Sequence, residues 1–204
     1  MEVVRAGSGS GDPVFHQMAE IHREAISEGF LSTLGEGFLS GLYRHLSDME
    51  DAFAFVACED DQVLGFIVGA LDTGRVYRSY ARRGGASAML ALAPKMLSPR
   101  RIVRVAETLL YPNRKQDDGL PEPEILNFCV RGDYQGKGVG GRLFASLCEE
   151  FAERGVAAIR IVTGEGQRSA QQFYEAKGAV FATTTQVHKG TTSRVYTYRI
   201  ARES

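Results

Sequence analysis

Cysteine is scarce in this chain. Its three thiols, Cys58, Cys129 and Cys148, are an odd number set far apart in 204 residues. That excludes a disulfide framework. His16, His22, His45 and His188 show no ligand spacing with them, so no metal site is expected. The cysteines read as buried free thiols of a reducing compartment, and a cytoplasmic location follows. Charge of one sign is also missing. The 24 Lys and Arg against 25 Asp and Glu leave a formal net charge of −1. Nothing global therefore draws the chain to nucleic acid or to an anionic membrane. No apolar run is long enough to span a bilayer, and the start has no secretory pattern. Internal repeats and low-complexity segments are absent. The remainder is ordinary for a globular protein, at 44% hydrophobic and 24% charged. Residues 1–204 suit one domain.

The elements follow from spacing. Glu2 to Ala6 is a short β-rich start, and GSGSGDP is a turn. Asp12 caps a helix with Pro13 in its first turn and Phe15, Met18, His22 and Ala25 at helical spacing; Gly29 stops it. Thr33 to Glu36 matches a capping box for a second helix through Phe38, Leu42 and Leu46. Two apolar strands, 52–58 and 63–71, form a hairpin around Glu59 to Gln62. Residues 73–122 differ in character. They hold Arg75, Arg78, Arg82, Arg83, Arg100, Arg101 and Arg104. An apolar segment from Ala86 to Leu97 and a helix from Pro99 to Leu110 read as a helical insertion, too short for a core of its own. Strand 125–130 follows, then a glycine-rich loop. A helix with Val139, Leu143, Leu147 and Phe151 on one stripe, flanked by Phe144 and Cys148, runs to Gly155. Strand 157–162 leads to a helix from about Gln167 with Ala170, Phe173, Tyr174 and Lys177 on one face. A closing antiparallel pair turns at HKGTT. The fold class is α/β in the α+β sense: a mixed, mostly antiparallel twisted sheet flanked by helices.

The loop, YQGKGVGGRLF at 134–144, contains G-x-G-x-x-G from Gly136 to Gly141. A dinucleotide turn would put its first glycine directly at the strand end, but Arg131 to Gln135 intervene. The Walker A pattern fails because Gly138, not Ser or Thr, follows Lys137. The physical content remains. Small residues entering a helix aim several backbone N–H groups and a helix dipole at one spot, and Lys137 and Arg142 add charge. That describes a pyrophosphate cradle. The plainer alternative is a glycine-rich turn that only reverses the chain.

Gln135-Gly136-Lys137-Gly138-Val139-Gly140 after strand 125–130 resembles motif A of the GNAT N-acetyltransferase superfamily. Gly132-Asp133 stand where the family commonly has Pro-Glu. Ala170-Gln-Gln-Phe173-Tyr174-Glu-Ala-Lys177-Gly178 resembles the family's Ala-x-x-Phe-Tyr-x-x-x-Gly. Gln167 replaces a frequent asparagine. The resemblance is strong over 124–181, and the insertion lies outside it.

The resemblance implies a direct transfer of acetyl from acetyl-CoA to an amine, without a metal. It implies that the amides of Gly136, Lys137, Gly138, Val139, Gly140 and Gly141 hold the pyrophosphate, with Gln135 and Arg142 beside them. The pantetheine arm would run along Phe128, Cys129 and Val130, on a strand that splays from its neighbour. Gln167, Ala170, Phe173 and Tyr174 would complete the cofactor side. The Val130 amide would stabilise the oxyanion, Tyr174 would protonate the thiolate and Glu124 would serve as base. Glu124 as a plain strand-end carboxylate, with water as the base, stays open. Asn127 and Glu107 are weaker substrate contacts. The stretch Glu28 to Glu36 and the insertion's arginines are candidate acceptor-side features, or a helix connection and a solvated face. The expected partner is a small-molecule amine such as an amino sugar. A protein N-terminus or lysine as acceptor, a non-catalytic acyl-CoA-binding module, and a homodimer are alternatives left open.

Overall fold

The computed structural model describes residues 1–26, 31–83, 119–188 and 191–201. Strand β1 (Glu2–Ala6) precedes helix α1 (Asp12–Ala25), a 3-10 turn (Leu31–Leu34) and α2 (Glu36–Ser47). The hairpin β2 (Ala52–Glu59) and β3 (Gln62–Ala70) leads to α3 (Thr73–Arg83). Then come β4 (Glu124–Val130), a 3-10 turn (Gly132–Tyr134), α4 (Val139–Glu153), β5 (Ala158–Gly164) and α5 (Arg168–Ala176). The hairpin β6 (Val180–His188) and β7 (Thr191–Arg199) ends the order. The strands form one seven-stranded sheet in the order β1-β2-β3-β4-β5-β7-β6. Among the described residues, only β4 and β5 pair in parallel. The mixed, mostly antiparallel sheet expected from the sequence is therefore present.

Each face of the sheet has its own core. Met18, Leu39, Tyr43 and Phe66 gather where α1 and α2 pack. Leu143, Leu147, Phe151, Ile159 and Tyr196 gather under α4. The stripe of α4 explains its seat: Val139, Leu143, Leu147 and Phe151 are all at most 2% exposed. Burying side chains of that size contributes about 1.5–3 kcal/mol each. Gly69 on β3 makes room for them, because a Cβ there would lie 2.9 Å from both Leu147 and Phe151.

Helix starts differ from the sequence expectation. Gly11, not Asp12, is the N-cap of α1, with no side-chain cap. Asp12 opens the helix itself and pairs with Arg44 of α2. The capping box at Thr33 does not form. The chain enters α2 from the 3-10 turn through Gly35, whose φ of 95° is a conformation open to glycine and strained for threonine. Glu36 instead reaches across to α1, 3.3 Å from His16 and 3.6 Å from Arg23. Gly29 lies outside the described residues. So do the segments Ala86 to Leu97 and Pro99 to Leu110, whereas the basic stretch that precedes them forms a helix over Thr73–Arg83. No helix among the described residues is long and apolar enough to cross a membrane.

His22 is a titratable group inside the α1–α2 core, 1% exposed. Its Nδ1 shares a hydrogen bond with the Tyr43 hydroxyl, and its Nε2 has no hydrogen-bond partner among the described residues. Burial holds the imidazole down to about 4, from 6.5. A group with a depressed folded pKa is neutral in the fold and takes up its proton on unfolding. The stability it contributes is present above 6.5 and is lost as pH falls toward 4. At 1.36 kcal/mol per pH unit that loss is about 3 kcal/mol. Urea midpoints measured from pH 7 to pH 4 should fall accordingly, and His22→Met should flatten the slope. An identical pH dependence in the variant would contradict the assignment.

Candidate active site

The site begins where two strands part. β4 and β5 pair only at Glu124–Arg160 and Ile125–Ile161. On the other side β4 stays paired to β3 as far as Val130. A bulge accompanies the parting: Val68 lies opposite Asn127 and Gly69 opposite Ile125, which leaves Leu126 as the extra residue. Arg131 N donates to Leu64 O at 2.8 Å. By the alternation of an antiparallel ladder, the Arg131 N–H and the peptide groups of Cys129 turn to β3, and Val130 and Phe128 turn theirs into the opening. The carbonyl of Val130 accepts from Gln135 Nε2 at 3.1 Å. β4 can approach β3 this closely because Gly65 faces it. A Cβ there would stand 2.8 Å from Cys129 O and 3.1 Å from Val130 Cα.

The loop after β4 ends in a bare helix start. Gly136 and Gly138 have φ of 74° and 86°, which glycine adopts without strain. Gly138 is the N-cap of α4, no side chain caps it, and no acidic residue stands in the first turn. Arg142 N makes the helical bond to Gly138 O. The amides from Gly138 to Gly141 precede it and have no partner within the helix. Their N–H groups and the dipole make a seat for an anion.

A cavity of about 340 Å³ joins these features. Phe128 and Val130 form one wall, and Gln135, Gly136, Gly138, Gly140 and Gly141 form the second. Ser169, Ala170 and Phe173 of α5 form the third. Tyr174 stands behind, 4% exposed, with ring centroids 6.2 Å from Phe128, 6.1 Å from Phe144 and 5.4 Å from Phe173. Desolvation, with the Cys129 thiol adding to it, holds the Tyr174 phenol well above its usual 10. At neutral pH the phenol keeps its proton.

Several expected contacts are not in this cavity. Cys129 is 2% exposed and belongs to the opposite core. The strand alternation that brings Phe128 and Val130 to the opening takes it away. The Lys137 ammonium sits 5.2 Å over the Tyr134 ring, and its amide reaches Tyr134 O at 3.4 Å. Val139 is spent on the core, its side chain buried under α4. Arg142 Nη1 donates to Met1 O at 3.4 Å, on the β1 side of α4. Gln167 is the N-cap residue of α5, and its Oε1 accepts from Gly164 N at 2.9 Å, locking a local turn.

Glu124 begins β4, 5% exposed, beside the equally buried Arg160 at the point of divergence. Asn127 is half-buried beyond it. Arg75 is held by Asp51 at 3.6 Å and Asp72 at 3.3 Å. Glu107, Arg100, Arg101, Arg104 and the side chains of Arg82 and Arg83 lie outside the described residues, as does part of the stretch Glu28 to Glu36. Two residues were missed. Ser169 lines the cavity one position before Ala170. Lys177 places its ammonium 5.9 Å from the Phe173 centroid, and a Cβ on Gly141 would be 3.7 Å from it. Its place on the Ala170–Phe173 stripe was the available signal.

The model of the acetyltransferase (GNAT) family matches residues 16–179. The chain belongs to this family. It is therefore an acetyltransferase, of a family that takes acetyl from acetyl-CoA. No curated protein sequence matches it. Solved structures share the fold at low identity. A ribosomal-protein-S18-alanine N-acetyltransferase from Escherichia coli aligns at 14% identity and TM-score 0.58, over 100% of this chain and 97% of that one. An aminoglycoside 6′-N-acetyltransferase complexed with coenzyme A aligns at 13% and 0.61, over 100% and 99%. A protein designated SsHAT aligns at 18% and 0.67, over 99% and 100%. At such identities the likeness is one of fold.

Proposed function

We propose that residues 1–204 form a single domain that transfers acetyl from acetyl-CoA to a primary amine of a small molecule. One observation carries the reading: the peptide groups of β4 that lack a strand partner and the uncapped start of α4 face the same cavity. The donor set suits a pyrophosphate attached to an amide-bearing arm. The amides of Gly136 and of Gly138 to Gly141 hold the pyrophosphate, with Lys177 adding a cation at the rim. Phe128 and Val130 pair with the arm.

Acetyl-CoA supplies a thioester whose carbonyl carbon is open to attack by an amine and whose leaving group is a thiolate. The Val130 N–H donates to the oxygen as charge builds there, in a site of low dielectric. Tyr174 gives its phenolic proton to the departing sulfur. Glu124 takes the proton of the amine. It opens β4 while Val130 ends it, about 20 Å apart at the rise of a strand, so water relays that proton. Phe128, whose N–H faces the same opening, is the nearer donor to Glu124.

Release of free thiol from acetyl-CoA, measured across amino sugars, polyamines, aminoglycosides and free-amine peptides, tests the proposal. Acetylation of at least one small amine is expected, with mass spectrometry locating the new amide on nitrogen. Acetylation of peptides alone would move the acceptor to proteins. Coenzyme A binding without transfer to any amine would leave a binding module.

A further inference from the structure

Among the described residues, no strand pairs with the Val130 end of β4 on its β5 side. Something else must fix it. Arg131 follows directly and is half-buried, its side chain 19% exposed. Its backbone N donates to Leu64 O and its side-chain Nε donates to Val63 O, both at 2.8 Å. One residue thus grips two consecutive carbonyls of β3 beyond the last ladder pair. The far side of the guanidinium faces α1, with Nη2 3.5 Å from Glu20 and Nη1 3.9 Å from Glu24. Glu20 and Glu24 are one helical turn apart, so both present to the same side. The same helix face reaches the hairpin turn, where Gln17 accepts from Val63 N at 2.8 Å and donates to Asp61 O at 3.0 Å. The carbonyl of Arg131 accepts from Tyr134 N at 2.9 Å, which starts the cradle loop.

We propose that Arg131 is a positioning residue for acetyl transfer: a staple that joins β3, β4 and α1 and fixes the direction of the Val130 N–H. The inference rests on the active-site reading above. A fixed donor costs no reorganisation when charge develops, whereas a fraying strand end spreads the donor over many directions. The bidentate reach matters more than the charge. Lysine would still face Glu20 and Glu24, but it has no second donor placed to hold Val63 O.

The test compares wild type with Arg131→Ala, Arg131→Lys and the double variant Glu20→Gln/Glu24→Gln, well below their melting temperatures. Thiol release from acetyl-CoA, with water or a primary amine as acceptor, gives kcat. Calorimetry with coenzyme A gives Kd. Amide spectra follow Val130. Arg131→Ala should lower kcat about tenfold or more while Kd changes less than about threefold. Arg131→Lys should do the same. The double variant keeps the bond to Val63 and should lose less than about threefold. Wild-type kcat in folded Arg131→Ala, or full rescue by lysine, overturns the staple. Should Arg131→Ala fail to fold, lysine and the double variant decide alone. A wild type that neither binds coenzyme A nor releases its thiol would instead overturn the active-site reading.

Discussion

Tyr174→Phe should lower kcat about 100-fold and leave the Kd for acetyl-CoA within about twofold. The size follows from removing a positioned acid, an effect that usually starts near 100-fold. The selectivity follows from packing. Phenylalanine keeps the ring contacts with Phe128, Phe144 and Phe173, so the cavity wall stays in place. A free thiol near 8.5 is a stronger acid than a phenol near 10, so in water the transfer from tyrosine to thiolate is uphill. Burial changes that comparison. The apolar surroundings that raise the Tyr174 phenol also disfavour a bare thiolate beside it. The pH profile offers a second check. With its pKa raised, the phenol keeps its proton at every pH below 10, so Tyr174 gives the rate no alkaline limb there. An alkaline limb below pH 9 that vanished in Tyr174→Phe would contradict the assignment, as would unchanged kcat.

Gly140→Val should weaken acetyl-CoA binding more than about 100-fold in a folded protein. Gly140 lies in the first turn of α4, where its amide belongs to the anion seat. A Cβ there would already stand 3.2 Å from Phe128 Cζ, with Phe173 at 3.7 Å and Val130 at 3.8 Å. Alanine asks the Phe128 ring to move by a few tenths of an ångström, and a loss of about tenfold is expected. Valine adds two methyl groups beside both the anion seat and the wall for the arm. A methyl clash in a packed site typically costs about 1–3 kcal/mol. Loss of the approach to the amides adds to that. The clash with Phe128 is present without ligand, so the melting temperature should also fall, by about 2–4 °C per kcal/mol. Calorimetry giving a wild-type Kd would show that the ligand does not pass this residue.

The parts that were legible in the sequence are those set by local rules. Val139, Leu143, Leu147 and Phe151 recur at helical spacing, and all four are buried. Gly136 and Gly138 stand where the backbone takes positive φ. Ala170 and Phe173 reach the cavity from one helix face. What was not legible depends on distant partners. Arg142 is claimed by the carbonyl of Met1, at the far end of the chain. Cys129 was grouped with its neighbours, but strand alternation sends it to the opposite core. Gln167 is the right length to satisfy Gly164 in its own turn. Thr33 has the composition of a cap, but the chain needed the left-handed turn of Gly35. Arg131 showed no pattern at all, because Val63, Glu20 and Glu24 meet it only in the fold.

The central claim is that β4 and the start of α4 together hold coenzyme A. Titrating acetyl-CoA into nitrogen-15-labelled protein, with backbone amides assigned, tests it directly. Saturating shifts are expected at Phe128, Val130 and Gly138 to Gly141, all with one Kd, while amides of β1 and β2 stay still. Binding that left those amides unmoved, or no binding at all, would contradict the account.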